Sequence, residues 1–190
     1  NAHLIIFNLK THELKKVKAP QGNYILDDLL ILDKKTILVS VQENGTFFLV
    51  DVEQGRIIKQ IIPYDENGNR PGYFIGMAKI DDKRIITAGC ATGVHWYSLN
   101  NLELAHTVNV NGDCYESIAS GIPGEVFLHG RDSNDLLINF NNSSHTKLVG
   151  HSSSNSTGGV AYSPSKKMAV TVTPLFPSDS GEVLLWDFSK

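Results

Sequence analysis

Seven histidines and two cysteines are the side chains of this 190-residue sequence best suited to metal or nucleophilic chemistry. No His-x-His or His-x-x-x-His pair occurs, and Cys90 and Cys114 lack the short spacing of a chelating pair, so no metal site is legible. His95 and His129 lie in strand-like runs, where a hydrogen-bonded structural histidine is expected. There is no Gly-x-Ser-x-Gly elbow, phosphate loop or dinucleotide fingerprint. The acidic pairs Asp27-Asp28, Asp65-Glu66 and Asp81-Asp82 read as solvated turn carboxylates, because Asp bonds turn backbone and a catalytic carboxylate needs a desolvating pocket. No catalytic, metal-binding or cofactor-binding residue is therefore assigned.

The elements that would have to position any site announce themselves by period. Five polar-centred cores, Phe7-Asn8-Leu9, Val50-Asp51-Val52, Tyr97-Ser98-Leu99, Ile138-Asn139-Phe140 and Trp186-Asp187-Phe188, are spaced by 43, 47, 41 and 48 residues. That is the length of a four-stranded propeller blade. Around them, short β-branched and apolar runs alternate with turn residues, as in Thr36 to Val41, Glu43-Asn44-Gly45 and Thr46 to Val52. Such runs read as antiparallel meanders of strands a, b, c and d.

The expected fold is all-β, a β-propeller of four-stranded antiparallel blades, with about four blades of a larger ring in this single segment, 1–190. The blade units are 1–20 (strands c and d only), 24–63, 73–111, 114–150 and 151–190, the last without its outer strand. Exposed sheet edges are a liability, so the ring is expected to be completed by further chain or by a partner. The first residue is Asn rather than Met, which suggests that the sequence begins inside a longer polypeptide.

The last unit resembles a WD repeat. Gly150-His151 opens it, Gly158-Gly159 leads into Val160-Ala161-Tyr162-Ser163-Pro164, and Leu185-Trp186-Asp187 closes it. The resemblance covers about a fifth of the chain and implies a buried polar network of His151, Thr171, Asp179 and Trp186, a structural rather than catalytic set. The insertion Pro174 to Ser178 departs from the pattern, and the other units carry neither the Gly-His nor the Trp-Asp pair.

Composition bounds the partners. With 41% hydrophobic and 19% charged residues, the chain has the make-up of a globular domain. Its net charge of -3 gives no bulk attraction to nucleic acid or anionic lipid, and no apolar stretch is long enough to span a bilayer as a helix. Lys10, Lys15, Lys16 and Lys18 read as edge lysines that discourage strand pairing rather than as a nucleic-acid patch.

Two cysteines favour a reducing compartment, cytoplasmic or nuclear, and two free thiols, although the blade topology makes a Cys90–Cys114 disulfide geometrically conceivable. Other proteins are thus the expected partners. The b-c turns and d-a connections share one face, on which Tyr64, Arg70, Tyr73, Arg131 and Phe176 are the candidate partner-binding residues. A repeat architecture without legible chemistry points to a non-catalytic interaction scaffold, a subunit of a multi-protein complex. The alternative is a propeller enzyme or ligand binder with a central-channel site, secreted and glycosylated if the sequons at Asn44, Asn141, Asn142 and Asn155 are used.

Overall fold

The computed structural model describes residues 3–20, 25–42, 45–64, 68–70, 72, 75–90, 93–108, 114–120, 123–130, 134–150, 158–174 and 181–189. Their strands form five antiparallel sheets, distributed over two compact units, Asn1–Phe74 and Ile75–Lys190. In the first unit, β1 (His3–Phe7) pairs with β2 (Leu14–Lys18). A four-stranded meander follows, β3 (Leu26–Ile31), β4 (Thr36–Val41), β5 (Thr46–Asp51) and β6 (Arg56–Ile61).

The second unit carries three sheets. The first is β7 (Gly76–Lys79), β8 (Arg84–Ala88), β9 (Val94–Ser98) and β10 (Leu104–Val108). The second is β11 (Tyr115–Ser120), β12 (Glu125–Gly130), β13 (Asn134–Asn139) and β14 (Ser144–Val149). The third has three strands, β15 (Gly159–Ser163), β16 (Met168–Pro174) and β17 (Gly181–Asp187). All five sheets follow sequence order, as the meander reading requires.

The cores explain why the second strand of each blade is the most apolar. Ile37-Leu38-Val39 on β4, Ile85-Ile86 on β8 and Val126-Phe127-Leu128 on β12 are buried at successive positions, and so on both faces of their strands. In the first unit, Val17, Val39, Phe48 and Val50 form one core with Leu4 and Ile6 packed against it. In the second, Ile86, Val94, Leu128, Leu136 and Ile138 join the first two sheets. Outer strands such as β14 are mostly exposed and polar, which suits a sheet edge.

The recurring cores turn out to be strand ends rather than strand centres. The polar residue sits at or just past the end of the third strand, and its side chain caps the turn that follows. Asn8 Oδ1 accepts from the Lys10 and Thr11 amides at 2.9 and 3.2 Å, and Asp51 Oδ1 from the Gln54 amide at 2.8 Å. Ser98 Oγ accepts from Asn100 at 3.3 Å, Asn139 Oδ1 from Asn141 at 2.9 Å, and Asp187 Oδ1 from Ser189 at 2.9 Å. In the first four turns the residue four positions on, His12, Gly55, Leu102 or Ser143, has a left-handed φ of 59, 66, 59 or 55°.

The period of 41 to 48 residues is therefore a period of side-chain-capped turns. Asp51→Ala is expected to cost about 1 kcal/mol, the net worth of one such bond. Asp51→Asn should stay within about 0.5 kcal/mol of the parent in urea unfolding, because Asn makes the same cap at positions 8 and 139. The acidic pairs are divided. Asp81-Asp82 occupies a turn as expected, Asp65-Glu66 lies outside the described residues, and Asp27-Asp28 lies within β3 at a register irregularity, with the Asp28 amide bonded to Ser40 Oγ at 3.1 Å.

Candidate functional site

A cleft of about 300 Å³ opens in the second unit between the outer parts of the β7–β10 and β11–β14 sheets. Trp96 on β9, Val108 on β10, Ile138 on β13 and Phe140 make its apolar wall. His106, Asn139, Ser144 and His145 supply polar groups around it. Arg84, at the start of β8, crosses this space with its guanidinium 5.6 Å from the Trp96 ring centre and 5.9 Å from that of Phe140.

The same guanidinium is anchored by Asp81 Oδ2, at 2.6 Å from Nη2 and 2.7 Å from Nε. Partial burial pushes the Asp81 carboxyl up, but the Arg84 bond, with the Lys83 amide at 2.8 Å on Oδ1, outweighs it and holds the group below the usual carboxylate range. Arg84 thus stands near two aromatic rings with its guanidinium held by the Asp81 carboxylate.

Deeper in the same unit is a belt of buried polar residues at the penultimate position of successive second strands: Thr87, His129 and Thr173. The corresponding residue in the first unit, Ser40 on β4, is also buried. His129 Nδ1 lies 2.7 Å from Asp135 Oδ1, with both side chains at most 2% exposed, and Thr173 Oγ1 lies 3.5 Å from His129 Nε2. The order hydroxyl, imidazole, carboxylate has the connectivity of an activated nucleophile. Thr173, however, is 1% exposed, so its hydroxyl is not presented at the surface. The set joins the β11–β14 sheet to β15–β17. His95 is likewise a hydrogen-bonded strand histidine, with Nδ1 2.9 Å from Thr107 Oγ1.

The residues singled out in the sequence are placed unevenly. Tyr64 is half exposed and carries the Arg70 guanidinium 6.0 Å from its ring centre, so these two come together. Tyr73, Arg131 and Phe176 lie outside the described residues, as do His151 and Asp179. Of the polar network, Trp186 Nε1 donates to the buried Thr171 Oγ1 at 3.0 Å. The Trp186 ring also packs on Phe127 at 6.3 Å, and a Cβ at Gly150 would come within 2.7 Å of Trp186 and Leu184.

The Arg84 cleft was missed because its residues come from strands b, c and d of two blades and share no local motif. Its sequence signals are the recurring core Ile138-Asn139-Phe140 and Trp96, one of two tryptophans. The free-thiol expectation is corrected: Cys90 and Cys114 form a disulfide, brought together where the end of one blade's second strand meets the start of the next blade.

No protein-family model matches the sequence, and no curated protein matches it. Among solved structures it is similar to U3-55K, with a TM-score of 0.69 and 14% identity over 86% of this chain and 53% of that one. It is also similar to the WD40 repeats of RRP9, with a TM-score of 0.67 and 14% identity over 86% of this chain and 52% of that one. The fold is that of WD40 propeller blades.

The chain spans about half the length of these two WD40 structures, 53% and 52%, in keeping with a partial propeller. At 14% identity the likeness is one of fold. Trp186 on the third strand and Thr171 on the second, which it bonds, lie in the blade that carries the Trp-Asp motif. Among the described residues no helix is long and apolar enough to cross a membrane.

Proposed function

We propose that this chain is a non-catalytic protein-interaction scaffold, a WD40-type subunit of a multi-protein complex, and that a partner protein seats in the Arg84 cleft. The observation that carries this reading is the composition of the cleft. Trp and Arg are among the residue types that dominate interface energies, and here they are packed together with Phe140 inside a polar surround. Because Asp81 fixes Arg84, little side-chain entropy remains to be lost on binding. A space of about 300 Å³ suits one or two partner side chains and lies at the lower limit for a small-molecule pocket.

Tyr64 and Arg70, with Tyr73, Arg131 and Phe176, form a second proposed contact set on the b-c and d-a loops. His151, Thr171, Asp179 and Trp186 are proposed as the structural network of the last blade. The outward face of that blade favours completion of the ring by further chain or a partner: Val172, Val183 and Leu185 share one side of the sheet and are 43, 66 and 64% exposed. The net charge of -3 offers no reason to propose nucleic acid or membrane instead.

Ser144 is exposed at the mouth of the cleft, and an arginine there would fill the opening without disturbing the core. Ser144→Arg should weaken the captured partner about tenfold, equivalent to about 1.4 kcal/mol, with an unchanged melting curve. Equal affinity in the two proteins would remove the cleft from the interface.

A further inference from the structure

The sulfurs of Cys90 and Cys114 and a carboxylate oxygen of Glu116 lie within 4.8 Å of one another, in a part of the second unit away from the Arg84 cleft. We propose that in the reduced protein these three residues bind a thiophilic divalent cation, Zn²⁺ being the ion that fits, and that closing the Cys90–Cys114 disulfide ejects it.

The topology assembles the cluster. Cys90 follows β8 and Cys114 precedes β11, and although 24 residues separate them their Cα atoms are 4.1 Å apart. The Tyr115 amide donates to the Gly89 carbonyl at 3.2 Å beside them, so the two backbones are tied together with or without the sulfur bond. Gly76 on β7 brings the neighbouring inner strand equally close, since a Cβ there would stand 3.5 Å from the Glu116 carbonyl. Cys114 and Glu116 come together at a register irregularity of β11, with Sγ 3.8 Å from Oε1.

Two thiolates and one carboxylate are a ligand set that zinc accepts, and three protein ligands leave a fourth tetrahedral position for water. Soft sulfur donors select against magnesium and calcium, which prefer all-oxygen sites. Cys114 and Glu116 are 6 and 8% exposed. A carboxylate kept so far from water gains from a cation held against it. Cys90 is only partly buried and is the side from which an ion or oxidant would reach the cluster. Opening the disulfide to the roughly 3.7 Å sulfur separation of a tetrahedral dithiolate with bonds of about 2.3 Å needs rotation about the Cys side chains, for which Cys90 has room.

The redox step balances with a peroxide as oxidant. Two zinc-bound thiolates each give up one electron and form the S–S bond. Hydrogen peroxide takes the two electrons and two protons to become two waters, and Zn²⁺ leaves because a disulfide sulfur is a poor ligand. A dithiol reverses the step by thiol–disulfide exchange, and rebinding of zinc releases the two thiol protons.

The test uses the 190-residue chain, reduced and then titrated anaerobically with Co²⁺ as a spectroscopic stand-in. The expected result is one Co²⁺ per chain with thiolate-to-cobalt charge-transfer bands, displacement by Zn²⁺, and loss of the bands when peroxide restores the disulfide. Glu116→Gln should weaken binding at least about tenfold, the lower end of what even outer partners of a metal ligand contribute. Cys90→Ser, at the more exposed position, should abolish the charge-transfer bands while melting curves recorded in chelator confirm that it folds. Overturning results would be a reduced protein that binds no Co²⁺ through sulfur, a Cys90→Ser protein that binds as tightly as the parent, or a disulfide that alkylation and mass show still closed under native reducing conditions.

Discussion

Asp135→Ala is expected to destabilise the second unit by about 1 to 3 kcal/mol, the range for leaving a buried hydrogen-bonding group unsatisfied. The effect comes less from the lost bond than from the group left behind. His129 is 1% exposed, and its Nδ1 faces Asp135 Oδ1 at 2.7 Å, so removing the carboxylate strips that nitrogen of its partner where water cannot replace it. Asp135→Asn keeps an acceptor oxygen and should cost about 1 to 2 kcal/mol.

A double-mutant cycle with His129→Ala separates the pair from the packing. If the two residues act as a unit, the double variant will be little worse than the worse single one, giving a coupling of about 1 to 3 kcal/mol. Equilibrium urea unfolding reads all four proteins. An Asp135→Ala protein within about 0.5 kcal/mol of the parent would mean that the pair is solvated and is not the junction described.

The blades were legible because each level of the sequence repeats the same instruction. Second strands such as Ile37-Leu38-Val39 are apolar without alternation, as burial on both faces demands, and are bounded by turns such as Asp33-Lys34-Lys35. The recurring cores were found for the right spacing and the wrong place. Residues such as Asp51 and Asn139 look like interruptions of an apolar strand, and only the backbone reveals that they cap the turn after it.

Contacts between blades were not legible in the same way. Arg84 meets Phe140 across 56 positions of sequence with no local signal, whereas the blade topology already made the Cys90–Cys114 pairing, across 24, conceivable. A one-dimensional period fixes which strand a residue belongs to, but it does not say which neighbour's side chain faces it. The bond from Trp186 to Thr171 is of another kind, because both belong to one blade and their strands are hydrogen-bonded neighbours.

Gly158 and Gly159 show how far that distinction carries, since in the sequence they are one motif. At Gly159 a Cβ would meet nothing within 4 Å. At Gly158 it would overlap the Val172 carbonyl oxygen and come within 2.5 Å of His129 Nε2. Neither neighbour has an easy way out. Val172 lies in the β15–β16 ladder, paired with Gly159, and moving its carbonyl means parting the two strands. His129 is held from the other side by Asp135, and Gly158 itself is tied down by Ser117 Oγ, which donates to its carbonyl at 2.7 Å.

Gly158→Ala is therefore expected to cost about 3 kcal/mol, the upper end for overpacking, because the obstacle is backbone rather than a side-chain tip that can swing aside. For a unit of this size, with about 2.1 cal/mol/K of unfolding entropy per residue, that is a fall in Tm of roughly 12 °C. Gly159→Ala, one residue away on the same strand entry, should stay within about 0.5 kcal/mol. Equal melting temperatures for the two variants would place the β15 entry away from His129. A large difference would show that the second glycine of the motif is conformational habit, while the first is the space through which one blade reaches the buried histidine of the blade before it.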